Sequence, residues 1–317
     1  MSNTPTARTE AERERLARAP FWPHLIMVPL DGSKDAEAAL PVASYFATVF
    51  GVEVRVVHAI PAGGADEDHG AATFEAYVAG LVTNGHLPEG TRAEVVAGAA
   101  ADAILAGTSG ADMIVLASHG QGGLQSALFG SVADKVVRAA KTPVVVVPVT
   151  HAAALLPVHT IVIAVDESES AAHAVALGRD FAERCGAAVT LVNAYLPTPV
   201  AAGIEVAYVP PDAGRADQDA AEAVVAEVAE PGEEHQAVLG SPVDVIAETA
   251  AKAGAELVVA GSRGRGYFSR LLLGSVSEGL MHRLDRPLLV VPTAPDETER
   301  QEPEQLPGIA RQTTGEG

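Results

Sequence analysis

Short runs of β-branched and aliphatic residues alternate along the chain with alanine-rich stretches of helical length. In the first half the apolar runs predict strands near 25–30, 52–59, 92–97, 113–117 and 144–148, with helices near 34–50, 70–85, 99–109 and 131–140 between them. The second half predicts strands near 161–165, 188–194, 234–239, 257–261 and 288–291. Val144 to Val147 and Leu288 to Val291 are apolar at consecutive rather than alternate positions, as in strands covered by helices on both faces. Strand and helix in this alternation build a mostly parallel sheet. Pro41 falls inside the first helix, where a missing N–H and a ring clash predict a bend.

The two halves are copies of one unit. Leu25-Ile-Met-Val-Pro-Leu-Asp31-Gly-Ser33 recurs as Ile161-Val-Ile-Ala-Val-Asp166-Glu-Ser168, and the 135-residue offset between the aspartates also carries Ala47 to Ala182 and Gly51 to Gly186. Further on, Leu128-Phe-Gly130-Ser131-Val132 recurs as Leu272-Leu-Gly274-Ser275-Val276 at an offset of 144. The expected fold class is α/β, with two tandem, doubly wound domains of five parallel strands each. The expected boundaries are an extension over 1–20, a first domain over 21–150, a linker over 151–159, a second domain over 160–294 and a disordered tail over 295–317. The extension mixes Arg and Glu in a polar stretch that forms a surface helix or none.

Composition narrows the function. The 317 residues are 48% hydrophobic, enough for two cores, and 41 acidic against 21 basic residues give a formal charge of −20. That field repels a nucleic-acid backbone, and its plainest use is solubility. The apolar runs fall far short of the roughly 20 residues that span a bilayer, so no membrane is expected. One cysteine, Cys185, leaves no internal disulfide, and the first residues carry no apolar leader. A cytoplasmic location is expected.

In a doubly wound sheet the ligand crevice lies beyond the C-terminal strand ends. Three duplicated features collect there: Asp31 and Asp166 at the end of each first strand, the loops Ala117-Ser118-His119-Gly120 and Gly261-Ser262-Arg263-Gly264 after each fourth strand, and the pairs Gly130-Ser131 and Gly274-Ser275 opening each last helix. Ser275-Val-Ser-Glu278 has capping-box spacing and Ser131-Val-Ala-Asp134 approximates it, so both serines are expected to cap helices. Unpaired N–H groups and the helix dipole then suit a phosphate, and the glycine lets the backbone approach it.

The spacing Gly261-x2-Gly264-x9-Gly274-Ser275 resembles the nucleotide motif of ATP-binding universal stress proteins, and the resemblance extends from about residue 24 to 292. It implies an adenine-nucleotide α-hydrolase-like fold binding ATP, alone or with Mg2+. By resemblance Asp166 contacts the adenosine end, Ala194 lines the adenine pocket and Gly261 lies beside the ribose. Gly264, Gly274, Ser275 and Val276 surround the phosphates. The matching first-half positions are Asp31, Ala59, Gly120, Gly130, Ser131 and Val132, with Ala117 standing where the pattern has its first glycine. The resemblance also implies that the halves meet through their last strands and that a homodimer can form.

No catalytic or metal-ligating residue is assigned. His119 reads as a loop histidine without a visible partner and Cys185 as a small packing residue. There is no Walker A lysine motif, and Gly264-Arg-Gly266 does not follow the Rossmann fingerprint. Arg263, Arg265 and Arg270 flank the second loop, whereas the first has no Lys or Arg between Ala117 and Lys135; tighter ATP binding in the second domain is expected. The functional expectation is a nucleotide-dependent regulator or sensor of stress that answers to an unknown regulatory protein. The alternatives are a slow ATPase or nucleotidyl-transfer enzyme in the same pockets, and a nucleotide-free assembly protein.

Overall fold

The computed structural model describes residues 23–61, 67–108, 110–119, 130–149, 155–196, 215–263 and 273–293. The terminal extension, the tail, Gly120, Gly264, Arg265 and Arg270 lie outside them.

The first half runs β1 (Leu25–Pro29), α1 (Lys34–Glu37), α2 (Leu40–Phe50), β2 (Glu53–Ile60), α3 (Glu67–Thr83), β3 (Arg92–Ala97), α4 (Ala100–Gly107), β4 (Met113–Ala117), α5 (Ser131–Ala139) and β5 (Val144–Val147). The second runs β6 (Thr160–Ala164), α6 (Glu169–Cys185), β7 (Ala188–Tyr195), α7 (Arg215–Val228), β8 (Glu234–Leu239), α8 (Pro242–Lys252), β9 (Leu257–Gly261), α9 (Ser275–Arg283) and β10 (Leu288–Val291). Among the described residues no helix is long and apolar enough to cross a membrane.

The expected first helix is broken rather than bent. The chain leaves helix at Ala38 and Ala39 and re-enters at Leu40, which puts Pro41 in the first turn of α2, where its absent N–H is one of the helix's orphan donors. The second-half counterpart, α6, runs unbroken for 17 residues. Both helices end on the repeated glycines: Gly51 at φ 68° and Gly186 at φ 66° adopt the left-handed conformation that closes a helix.

Each half is a parallel sheet with its first strand inside, in the orders β3-β2-β1-β4-β5 and β8-β7-β6-β9-β10. The two join where β10 pairs antiparallel with β5, Leu289 opposite Val145, giving one ten-stranded sheet. The last strands therefore meet as expected.

The consecutive valines explain how helices cover both faces. Val145 and Val147 point into one core and Val144 and Val146 into the other, as Leu289 and Val291 do opposite Leu288 and Val290. Each core draws on both halves, so the domains share two apolar layers. On one face α2 meets α6 through a buried aromatic cluster: Phe181 lies edge-on to Phe46 and Phe50, with ring centroids 5.2 and 4.8 Å away. On the other, Arg138 of α5 grips Asp134 with its Nε at 2.9 Å and reaches across to Glu278 of α9 with Nη2, also at 2.9 Å.

Candidate functional site

The crevice sits where strand order reverses, between β6 and β9 in the second domain. Here the structure opens a cavity of about 480 Å³ over the strand ends. That volume suits a small-molecule ligand. Its wall contains Asp166, Ala194, Gly261, Arg263, Gly274, Ser275 and Val276, so every described second-domain residue that the resemblance assigned to the nucleotide lines one space, with Arg263 beside them.

Each is placed by a local cause. Asp166 leaves β6 just before the Ser168 cap of α6, and its Oδ1 accepts from the Ser168 N–H at 2.8 Å. Asp31 is held the same way, by the N–H of Ser33 at 2.9 Å and its hydroxyl at 2.6 Å. Ala194 lies near the end of β7 opposite Val238, and Ala59 takes the equivalent place on β2 opposite Val96.

The last helix of each domain is tied under the fourth strand. The Gly274 N–H donates to the Ser262 carbonyl at 2.8 Å, and the Gly130 N–H to that of Ser118 at 2.9 Å. Ser277, in the first turn of α9, donates its hydroxyl to the Gly261 carbonyl at 2.6 Å.

The serines do not cap these helices, contrary to the capping-box expectation. Gly274 and Gly130 are the caps, in extended conformation and without a side-chain bond, and the first helical bonds run from Glu278 N–H to Gly274 and from Asp134 N–H to Gly130. The acids thus fall one residue too far along to close a box, and Arg138 draws both of them to its guanidinium instead. The N–H groups of Ser275, Val276 and Ser277 keep no partner within the helix. An anion is the complementary ligand.

Gly261 is required by packing. A methyl group there would stand 2.6 Å from the Ser170 carbonyl carbon and collide with the Ser170 hydroxyl, which itself bonds the Arg263 carbonyl. Ser170 also accepts from the Arg263 N–H at 3.2 Å, pinning the loop onto α6. Gly261→Ala is expected to cost about 1–3 kcal/mol through overpacking, read as a lowered urea midpoint with unchanged slope. An unchanged midpoint would show that α6 yields freely. In the first domain Ala117 is accommodated beside α1, only four residues long, whose Asp35 is exposed where the second domain buries Ser170.

In the first domain Ser131 and Val132 are exposed at the start of α5, and Gly130 is half-buried. His119 does have a partner, the Ser118 hydroxyl, 3.0 Å from its Nδ1. Cys185 packs between the domains with its thiol bonded to Tyr45, whose hydroxyl accepts from the Val158 N–H at 3.1 Å. Burial raises the Cys185 thiol above its usual range, against a smaller lowering by Tyr45, and burial with the Cys185 bond pushes Tyr45 up to about 12. Such a thiol stays protonated, as a packing residue should.

Sequence reasoning missed Asn193, Asp217 and Tyr195, which also line the cavity. Asn193 was detectable as the one amide inside an apolar strand. It is buried, and its Nδ2 donates to the Val165 carbonyl at 2.8 Å. Asp217 comes from α7, and no repeat marked it.

The universal stress protein family profile matches residues 24–148 and 157–292. A universal stress protein of Mycobacterium tuberculosis is 29% identical over 290 residues, 84% of this chain and 96% of that one. One of Mycolicibacterium smegmatis is 27% identical over 296 residues, with the same coverage. Among solved structures, a universal stress protein from Archaeoglobus fulgidus DSM 4304 superposes with a TM-score of 0.61 at 21% identity, covering 86% of this chain and all of that one.

Proposed function

The chain belongs to the universal stress protein family, and on that premise we propose that it binds an adenine nucleotide, ATP foremost, in the second-domain cavity and acts as a nucleotide-dependent regulator in stress response. One observation carries this reading. The N-terminus of α9, which no side chain caps, and the carboxylate of Asp166 line the same cavity of about 480 Å³. Phosphates suit the first, and a carboxylate suits the hydroxyls of a ribose. Ala194 and Val192 supply an apolar wall for the base.

The family motif assigns Gly264 to the phosphates by resemblance, and Arg263 adds positive charge beside an otherwise acidic rim of Asp166, Glu167 and Asp217. Any Mg2+ would enter on the phosphates, because no three His, Cys, Asp or Glu side chains gather as a metal site among the described residues. Binding without turnover is the preferred reading: by the family resemblance Asp166 serves the adenosine end rather than the γ-phosphate, and Arg263, in the place His119 takes in the first domain, is no base at neutral pH. A cytoplasmic protein regulating a partner, as a single chain or a homodimer, completes the proposal.

The test is mass spectrometry of nucleotide released from the purified protein, followed by calorimetry with ATP. Asp166→Ala should weaken ATP by roughly 10- to 100-fold, the value of one hydrogen bond to a charged group. A protein indifferent to adenine nucleotides at millimolar concentration would overturn the proposal.

A further inference from the structure

In each domain one polar side chain of the second strand reaches the residue that precedes the strand-end aspartate. In the second domain Asn193 on β7 donates from Nδ2 to the Val165 carbonyl at 2.8 Å. In the first, 135 positions earlier, Nδ1 of His58 on β2 lies 2.8 Å from the Leu30 carbonyl. A carbonyl only accepts, so the nitrogen facing it carries the proton in both cases. The residue type differs between the copies and the bond does not.

The Val165 N–H still follows the sheet, donating to the Val192 carbonyl at 2.8 Å, as the Leu30 N–H does to that of Val57 at 2.9 Å. The carbonyl of the same residue has turned to a side chain, just where the chain leaves β6 or β1 for the crevice. That carbonyl shares one rigid peptide plane with the N–H of the next residue. Fixing the Val165 carbonyl therefore fixes the direction in which Asp166 departs, and fixing that of Leu30 does the same for Asp31. Ser168 holds the other end of Asp166, its N–H 2.8 Å from Oδ1, and Ser33 holds Asp31 likewise at 2.9 Å. Each aspartate is thus gripped twice, through its backbone and through its carboxylate.

Neither gripping side chain lies on the wall assigned to the base. Successive strand residues face opposite sides of the sheet, and Val192 and Ala194 pack into one core while Leu191, two residues before Asn193, packs into the other. His58 stacks on Phe74, which belongs to the same core as Leu191, with ring centroids 4.9 Å apart. Asn193 borders the cavity but is only 5% exposed.

We infer that Asn193 is a positioning residue for ribose recognition: its bond to the Val165 carbonyl sets the Asp166 carboxylate against the sugar hydroxyls, and His58 holds Asp31 in the same way. This rests on the nucleotide reading given above, in which Asp166 takes the ribose.

Calorimetry of the full chain with ATP and with 2′,3′-dideoxy-ATP, which offers Asp166 no hydroxyl, separates positioning from packing. The wild type is expected to prefer ATP. Asn193→Leu, close in shape but without a donor, should weaken ATP by about 3- to 10-fold, the range of one ordinary hydrogen bond, and leave dideoxy-ATP within about twofold. Asn193→His, which supplies the donor used in the first domain, should restore the preference. In an Asp166→Ala background the leucine change should have no further effect on ATP. Equal losses for both nucleotides, a loss that persists without Asp166, a folded histidine variant that binds like the leucine one, or a wild type that does not distinguish the two nucleotides would each overturn this inference and leave nucleotide binding standing. No uptake of either nucleotide at millimolar concentration would overturn the nucleotide reading, and this inference with it. Where the leucine variant does not fold, Asn193→Ala removes the same donor without adding bulk and is read in the same way.

Discussion

Phe181→Ala is expected to lower global stability by about 3–5 kcal/mol, the cost of removing a fully buried phenyl ring from a core that only partly collapses. The magnitude belongs at the upper end because of what the ring touches. Phe181 is 0% exposed and meets two rings edge-on, Phe46 and Phe50, each pair worth about 0.5–1.5 kcal/mol beyond its buried area. Phe46 and Phe50 belong to α2 and Phe181 to α6, so the lost contacts are those between domains. A fall in Tm on the order of 10 °C follows for a structure of this size. Scanning calorimetry would read it, and separate transitions in the variant would show that this cluster makes the halves unfold together. A loss below about 1 kcal/mol would mean that the shared sheet alone couples them.

Gly274→Val is expected to abolish detectable ATP binding, with an affinity loss of about 100-fold or more, while leaving the fold intact. Gly274 caps α9 at φ −67° and ψ 146°, a conformation open to any residue, so the backbone does not demand glycine. The cavity does, since Gly274 is buried in its wall beside Ser275 and Val276. A branched side chain would hold phosphate away from the helix N–H groups, and two lost charge-assisted hydrogen bonds at about 1.5–3 kcal/mol each account for the factor. Calorimetry gives the affinity, and an unchanged far-UV spectrum with a Tm within a few degrees of wild type separates binding from folding. Unaltered affinity would remove phosphate from this helix.

The strands were legible because both faces of the sheet are covered: Val144 to Val147 can be little else than a buried strand when Val145 and Val146 must each find a separate core. The end of each first helix was equally plain, since Gly51 and Gly186 recur at one offset and both take the left-handed turn. Where sequence misled, tertiary partners had overruled a local pattern. Ser275 and Glu278 have the spacing of a capping box, yet the bond from Gly274 to Ser262 starts the helix one residue earlier. Pro41 suggested a bend, but the chain gave up two residues of helix and used the proline as a start.

The wall of the candidate site was legible where its positions repeat between the halves. Asp166, Gly261, Gly274 and Ser275 stand at repeat positions and line one cavity. Asp217 and Ser170 had no such mark. Ser170 matters only because α6 lies on a glycine 91 positions away, a proximity that no local pattern encodes.

The antiparallel seam of β5 with β10 has a last consequence. Both strands sit on the same polypeptide, so the seam forms at an effective concentration set by the tether and not by how much protein a cell contains. Dilution cannot part the halves, and a scarce copy of this protein is as fully assembled as an abundant one.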